Sequence, residues 1–125
     1  MSLILIVEDN EKNLKLVRDV LKVKGYETLE AGTAEEGIEI ATEHKPDLIL
    51  MDIQLPGMNG IEALKVLRSQ PATAAIPVIA VTASVMQQDR NQITEAGFDG
   101  YIGKPLNLKE FLEAVRSKLE QRAHE

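Results

Sequence analysis

Five short stretches of the chain read as strands, three of them mostly or wholly apolar, and each is followed by a stretch with helical spacing. Leu3–Val7 runs straight into Glu8, Asp9 and Asn10, and Leu48-Ile49-Leu50-Met51 runs into Asp52 and then a Pro56/Gly57/Asn59/Gly60 turn cluster. A uniform pattern of this kind, rather than an alternating one, predicts strands covered on both faces. Residues 26–31 give a weaker strand, residues 77–83 a fourth, and residues 100–102 a short fifth. Between them Leu14, Val17 and Leu21, flanked by Leu16, Val20 and Val23, keep helical spacing from an Asn10 cap to a Gly25 stop. Thr33-Ala34-Glu35-Glu36 reads as a capping box that opens a second helix, which ends before Pro46.

A third helix is predicted over 60–69, with Ile61, Leu64 and Leu67 on one side. The fourth, over 85–96, carries Gln87, Gln88, Asp89, Arg90, Asn91 and Gln92 and keeps only a thin apolar stripe, so it is expected to be the least firmly packed. Asn107 and Glu110 cap a fifth, in which Leu108, Phe111, Leu112, Val115 and Leu119 form the buried stripe, and residues 121–125 read as a frayed end. Strands and helices alternating through short connections predict an α/β, doubly wound, five-stranded parallel sheet with five helices, because right-handed crossovers then follow by default. The carboxyl ends of the first and third strands share one edge of such a sheet, the edge at which ligands bind. Glu8, Asp9 and Asp52 should therefore converge.

Converging carboxylates change the picture from packing to chemistry. At about 5 Å and an effective dielectric of about 20 each pair costs on the order of 3 kcal/mol, so the cluster calls for a cation or a raised pKa. Oxygen-only donors with no His or Cys nearby select a hard ion, Mg²⁺ rather than Ca²⁺ where water and phosphate must share the coordination. Thr82 ends the fourth strand and Lys104 follows the fifth, which adds a hydroxyl donor and a fixed positive charge to the same rim, the clamp that phosphoryl transfer to a carboxylate nucleophile requires.

Composition narrows the alternatives. With 125 residues the chain is read as one domain, residues 1–125, with no output domain. No Trp and 3% aromatic residues mean an aliphatic core, and the absence of Cys removes disulfides and thiolate chemistry. A net charge of -6 disfavours nonspecific nucleic-acid or anionic-lipid binding, and no apolar run approaches the ~20 residues of a membrane span, so a cytoplasmic protein is expected. His44 at a helix end and His124 in the tail have no metal-ligand spacing. No Gly-rich nucleotide fingerprint follows the first strand.

Glu8-Asp9, Asp52, Thr82-Ala83 and Lys104-Pro105, in this order and at these separations, resemble the receiver domain of two-component response regulators over essentially the whole chain. Residues 3–10 and 48–56 are especially similar to stand-alone, single-domain cell-division regulators and to receivers attached to hybrid histidine kinases. The resemblance implies a flavodoxin-like strand order 2-1-3-4-5. It implies that Asp52 accepts a phosphoryl group from a phosphohistidine on a kinase or phosphotransfer protein, and that Asp9, Asp52 and the Gln54 carbonyl ligate Mg²⁺ while Glu8 assists. It further implies that Thr82 and Tyr101 switch on phosphorylation, altering a face of helix four, strand five and helix five that contacts a downstream protein, with the chain a monomer or a weak dimer. Lys104-Pro105 would be cis, although an X-Pro bond is far more often trans. The chain would then be a switch without an external turnover substrate. One alternative is a receiver domain cut from a hybrid histidine kinase; the rival from another class is a haloacid-dehalogenase-type phosphohydrolase, a family that uses a second Asp two residues after the nucleophile, where this chain has Gln54.

Overall fold

The computed structural model describes residues 2–83 and 87–123. In chain order the elements are β1 (Leu3–Val7), α1 (Glu11–Val23), β2 (Glu27–Ala31), α2 (Ala34–His44), β3 (Leu48–Asp52), α3 (Gly60–Ser69), β4 (Val78–Thr82), α4 (Gln87–Ala96), β5 (Gly100–Gly103) and α5 (Leu108–Ala123). All strand pairs are parallel, in the order β2-β1-β3-β4-β5. The expected α/β doubly wound sheet is thus the one observed, and so is the cis Lys104–Pro105 bond.

Two separate apolar clusters explain why the strand sequences are uniformly greasy. Leu5, Val7, Ile49, Met51, Val78 and Ala80 face one side of the sheet and pack with Ala34 and Ala41 of α2, Ala63, Leu64 and Leu67 of α3, and Ile93 of α4. The alternate residues Ile4, Ile6, Leu48, Leu50, Ile79, Val81 and Ile102 face the other side and pack with Val17 and Leu21 of α1 and Phe111 and Val115 of α5. Successive strand side chains point to opposite faces, so a strand buried on both has no position left for a polar residue until it ends. Glu8 and Asp52 come at those ends.

Caps set where the helices begin. Asn10 Oδ1 accepts from the Asn13 amide, Asn107 Oδ1 from the Glu110 amide, and Gly25 takes the left-handed backbone (φ 87°) just beyond α1. At α2, Thr33 Oγ1 accepts from the Glu36 amide, but the complete, two-way capping box is at α3, between Asn59 and Glu62.

Several details differ from the sequence expectations. Tyr26, Pro77 and Ala83 fall outside their strands. Leu108, Leu16 and Val23 lie on the solvent side, because α1 and α5 each bury only a narrow stripe. α5 is helical to Ala123, so residues 121–123 of the expected frayed end are assigned to the helix, and 124–125 lie outside the described residues. Residues 85 and 86 of the expected fourth helix lie outside the described residues. Among the described residues no helix is long and apolar enough to cross a membrane.

One glycine fixes the loop beyond Asp52. Gly60, the first residue of α3, donates its amide to the Ile53 carbonyl at 3.1 Å, and a Cβ there would lie 2.5 Å from the Asp52 carbonyl oxygen and 3.0 Å from Ile53 Cα. Both neighbours are backbone, so they cannot yield as a flexible side chain would. Gly60→Ala should destabilise the protein by about 1–3 kcal/mol, the overpacking cost exceeding the ~1 kcal/mol that alanine gains in a helix. Gly32→Ala, where a Cβ meets nothing within 4 Å, should be neutral or slightly stabilising. Urea unfolding of the two variants reads the difference, and equal stabilities would show that α3 is not seated on the Asp52 backbone.

Candidate functional site

Parallel register brings the chemistry together at the carboxyl edge of the sheet. Val7 is opposite Met51, so Glu8 emerges beside Asp52, and Asp52 is opposite Val81, so Thr82 emerges next in line. Thr82 is opposite Gly103 and accepts the Lys104 amide on its carbonyl at 2.8 Å, which delivers Lys104 to the same rim. Four of the residues singled out from the sequence therefore arrive from four adjacent strands, and Asp9 follows Glu8.

Glu8, Asp9 and Asp52 each offer a carboxylate oxygen within 4.8 Å of the others. Glu8 and Asp52 are buried, at 5% and 3% exposure, whereas Asp9 is exposed. The Lys104 ammonium stands between the two buried groups, 2.9 Å from Glu8 Oε1 and 3.1 Å from Asp52 Oδ2. Asp52 Oδ1 accepts the Gln54 amide at 3.0 Å, so both oxygens of this carboxylate have a donor. Glu8 accepts the Asn10 amide at 3.3 Å.

Electrostatics divide the cluster unequally. Burial, then the hydrogen bond and charge of Asp52, push the Glu8 carboxyl up to about 7, with Lys104 and the Asn10 amide pulling the other way. Burial disfavours the Lys104 ammonium, but its contacts with Glu8 and Asp52 outweigh this and raise its pKa. Lys104 is thus shared by two buried carboxylates, and Asp9, at the solvent side, adds a third carboxylate to the cluster. The donor set is oxygen only, which fits a hard divalent cation.

Thr82 is fully buried at the end of β4. Tyr101 is 43% exposed and lies on edge strand β5, outside the cluster. The Gln54 side chain is exposed, and the residue reaches the site through its backbone. The sequence reading did not anticipate the surroundings of the site. Asn13, Leu16, Val17, Val81, Ala83, Pro105 and Leu106 join Glu8 and Lys104 in lining a groove of about 460 Å³ between α1 and the β5–α5 connection. Nor did it use the Asn59–Glu62 capping box, which secures the far end of the Asp52 loop; the Asn59-Gly60-Ile61-Glu62 spacing carried that signal.

The chain is similar to proteins of known family. Residues 4–116 match the model of the response regulator receiver domain. The polar-differentiation response regulator DivK of Brucella anthropi is 47% identical over 116 residues, 93% of this chain and 94% of that protein, and DivK of Brucella ovis matches equally well. Among solved structures, a CheY-like receiver domain protein from Methanospirillum hungatei superposes with a TM-score of 0.91 at 32% identity, covering 99% of this chain and 98% of that one. The receiver domain of a sensor histidine kinase from Pseudomonas aeruginosa, whose structure holds a magnesium ion coordinated in the active-site cleft, gives 0.89 at 30% identity over 95% of this chain and 98% of that one. Sequence match and fold agree over nearly the full length, and the chain belongs to the response regulator receiver domain family.

Proposed function

We propose that the chain is a phosphorylation-dependent switch in which Asp52 accepts a phosphoryl group from a phosphohistidine on a histidine kinase or phosphotransfer protein. The observation that carries this reading is the pairing of buried Asp52 with the Lys104 ammonium inside a cluster of three carboxylates. The likeness to DivK and to the receiver of a sensor histidine kinase supports a donor of that class.

In the proposed step a carboxylate oxygen of Asp52 attacks phosphorus in line with the leaving nitrogen. The O–P bond forms as the P–N bond breaks and the bonding pair stays on the departing nitrogen; the proton already carried by the other ring nitrogen of the phosphoimidazolium lets the group leave as neutral histidine. Lys104 offsets the charge on the transferred oxygens, and Thr82 at the end of β4 donates its hydroxyl to one of them. Mg²⁺, held by Asp9, Asp52 and the Gln54 carbonyl with Glu8 assisting, would supply the remaining positive charge that the phosphoryl oxygens need.

Occupation of Thr82 by the phosphoryl group alters the carboxyl end of β4 and with it β5, which carries exposed Tyr101. The signal is then read by protein contact on the face of α4, β5 and α5. Gln54, which has no acid or base to give, makes turnover of phosphomonoesters an unfavourable alternative.

Incubation with Mg²⁺ and a small acyl phosphate should add one phosphoryl group, detected by intact mass, and Asp52→Asn should abolish the gain. No gain in the native chain would overturn the reading. The same cluster sets a pH dependence for the metal-free protein. Because Glu8 titrates near 7 when folded and near 4.5 when unfolded, the folded state holds the extra proton between those values. Stability from this group is complete below about 4.5 and is lost as pH rises through 7, by at most about 3 kcal/mol. Unfolding free energies at pH 5 and pH 8 should therefore fall more steeply for the native chain than for Glu8→Gln, and parallel slopes would refute the assignment.

A further inference from the structure

The strand that delivers Lys104 is poorly fixed by packing. β5 is an edge strand of four residues, and only Ile102 is buried. Register is well specified where one face of a strand is buried along its length, and weakly specified otherwise. A slip of one residue moves the chain by ~3.3 Å, which is enough to take the Lys104 ammonium away from oxygens now 2.9 and 3.1 Å distant.

At the opposite end of β4 and β5 an ion-paired network holds this register. Asp99, the residue before β5, donates its amide to the Val78 carbonyl at 2.8 Å and accepts the Val78 amide on Oδ2 at 2.7 Å. The same oxygen accepts from Arg68 Nη2 at 2.8 Å, and Arg68 Nη1 donates to the carbonyls of Ala74 (3.1 Å) and Ile76 (2.6 Å). One guanidinium at the end of α3 therefore ties the connection into β4 to the residue that precedes β5. An exposed ion pair alone is worth little, but here the carboxylate replaces a strand partner for the first amide of β4, and a displaced Asp99 would leave that amide without one.

We propose that Asp99 and Arg68 are positioning residues that set the β4–β5 register and so hold Lys104 against Asp52. The effect on phosphoryl acceptance rests on the function proposed above; the clamp on the register does not.

The test compares phosphorylation rates of the full chain with Mg²⁺ and a small acyl phosphate for the native protein, Asp99→Ala, Lys104→Gln and the double variant. Asp99→Ala should slow acceptance about tenfold in the native background and less than twofold when Lys104 is already Gln, since a clamp for Lys104 has nothing left to position. Equal slowing in both backgrounds, or a folded Asp99→Ala within twofold of native, overturns the proposal. Arg68→Gln, which leaves the Asp99 contacts to Val78 in place, should slow acceptance about threefold and keeps the test alive if Asp99→Ala does not fold. Should the native chain accept no phosphoryl group, the functional reading fails and amide exchange decides the clamp. The β5 and Lys104 amides should exchange about tenfold faster in Arg68→Gln with the α1 amides unchanged, whereas uniform acceleration, or none, overturns it.

Discussion

Repulsion among carboxylates that have been taken out of water is the constraint on which the rest depends. Glu8 and Asp52 are almost fully buried and share one ammonium, with Asp9 close by. Left alone, a site of this kind would relax by separating its charges or protonating them. Here the sheet prevents separation, because each carboxylate is attached to a strand locked to its neighbours, and the result is a Glu8 carboxyl pushed up to about 7 by burial and by Asp52. A bound cation would relieve the same strain in a different way, so under the proposed function the fold's electrostatic problem and its chemistry are one feature.

The two-sided sheet makes that possible. Strand residues from Leu3 to Val7 and from Leu48 to Met51 are committed, alternately, to the clusters under α2, α3 and α4 and under α1 and α5. Polar chemistry is thereby confined to the strand ends, where backbone amides such as those of Asn10 and Gln54 are still available to bind carboxylates. The cluster is closely supported: Gly60 packs directly on the Asp52 backbone, and the Asn59–Glu62 capping box caps the helix behind it.

Much of this was legible in the residues, for identifiable reasons. Unbroken apolar runs ending in acid predicted β1 and β3 and the convergence of Glu8, Asp9 and Asp52, because strand parity and parallel topology leave little choice. Helix ends marked by Asn10, Thr33, Asn107 and Gly25 were legible through cap chemistry, which is local. What could not be read was tertiary. The exposure of Leu16, Val23 and Leu108 depends on how narrow a stripe each helix buries. The sharing of Lys104 between Glu8 and Asp52 depends on side-chain placement across three strands, and the Arg68–Asp99 network joins residues far apart in sequence that carry no motif of their own.

The unequal firmness of the elements around the site is itself informative. β1 and β3 are buried almost throughout, and the groups they carry, Glu8 and Asp52, are the ones that must not move if a phosphoryl group is to be met in line. β5 buries one residue of four, and among the described side chains of α4 Ile93 alone is fully buried, with Ala96 half-buried. Elements that change shape are drawn from the weakly packed end of a structure. Under the proposed function, a weakly packed strand that leads into Lys104 creates a conflict, since the ammonium would have to be placed as firmly as Asp52 while the strand before it stayed free to respond. Anchoring β5 from its distant end, at Asp99, resolves it: the register is held where nothing needs to switch, and Tyr101 stays exposed on the stretch between.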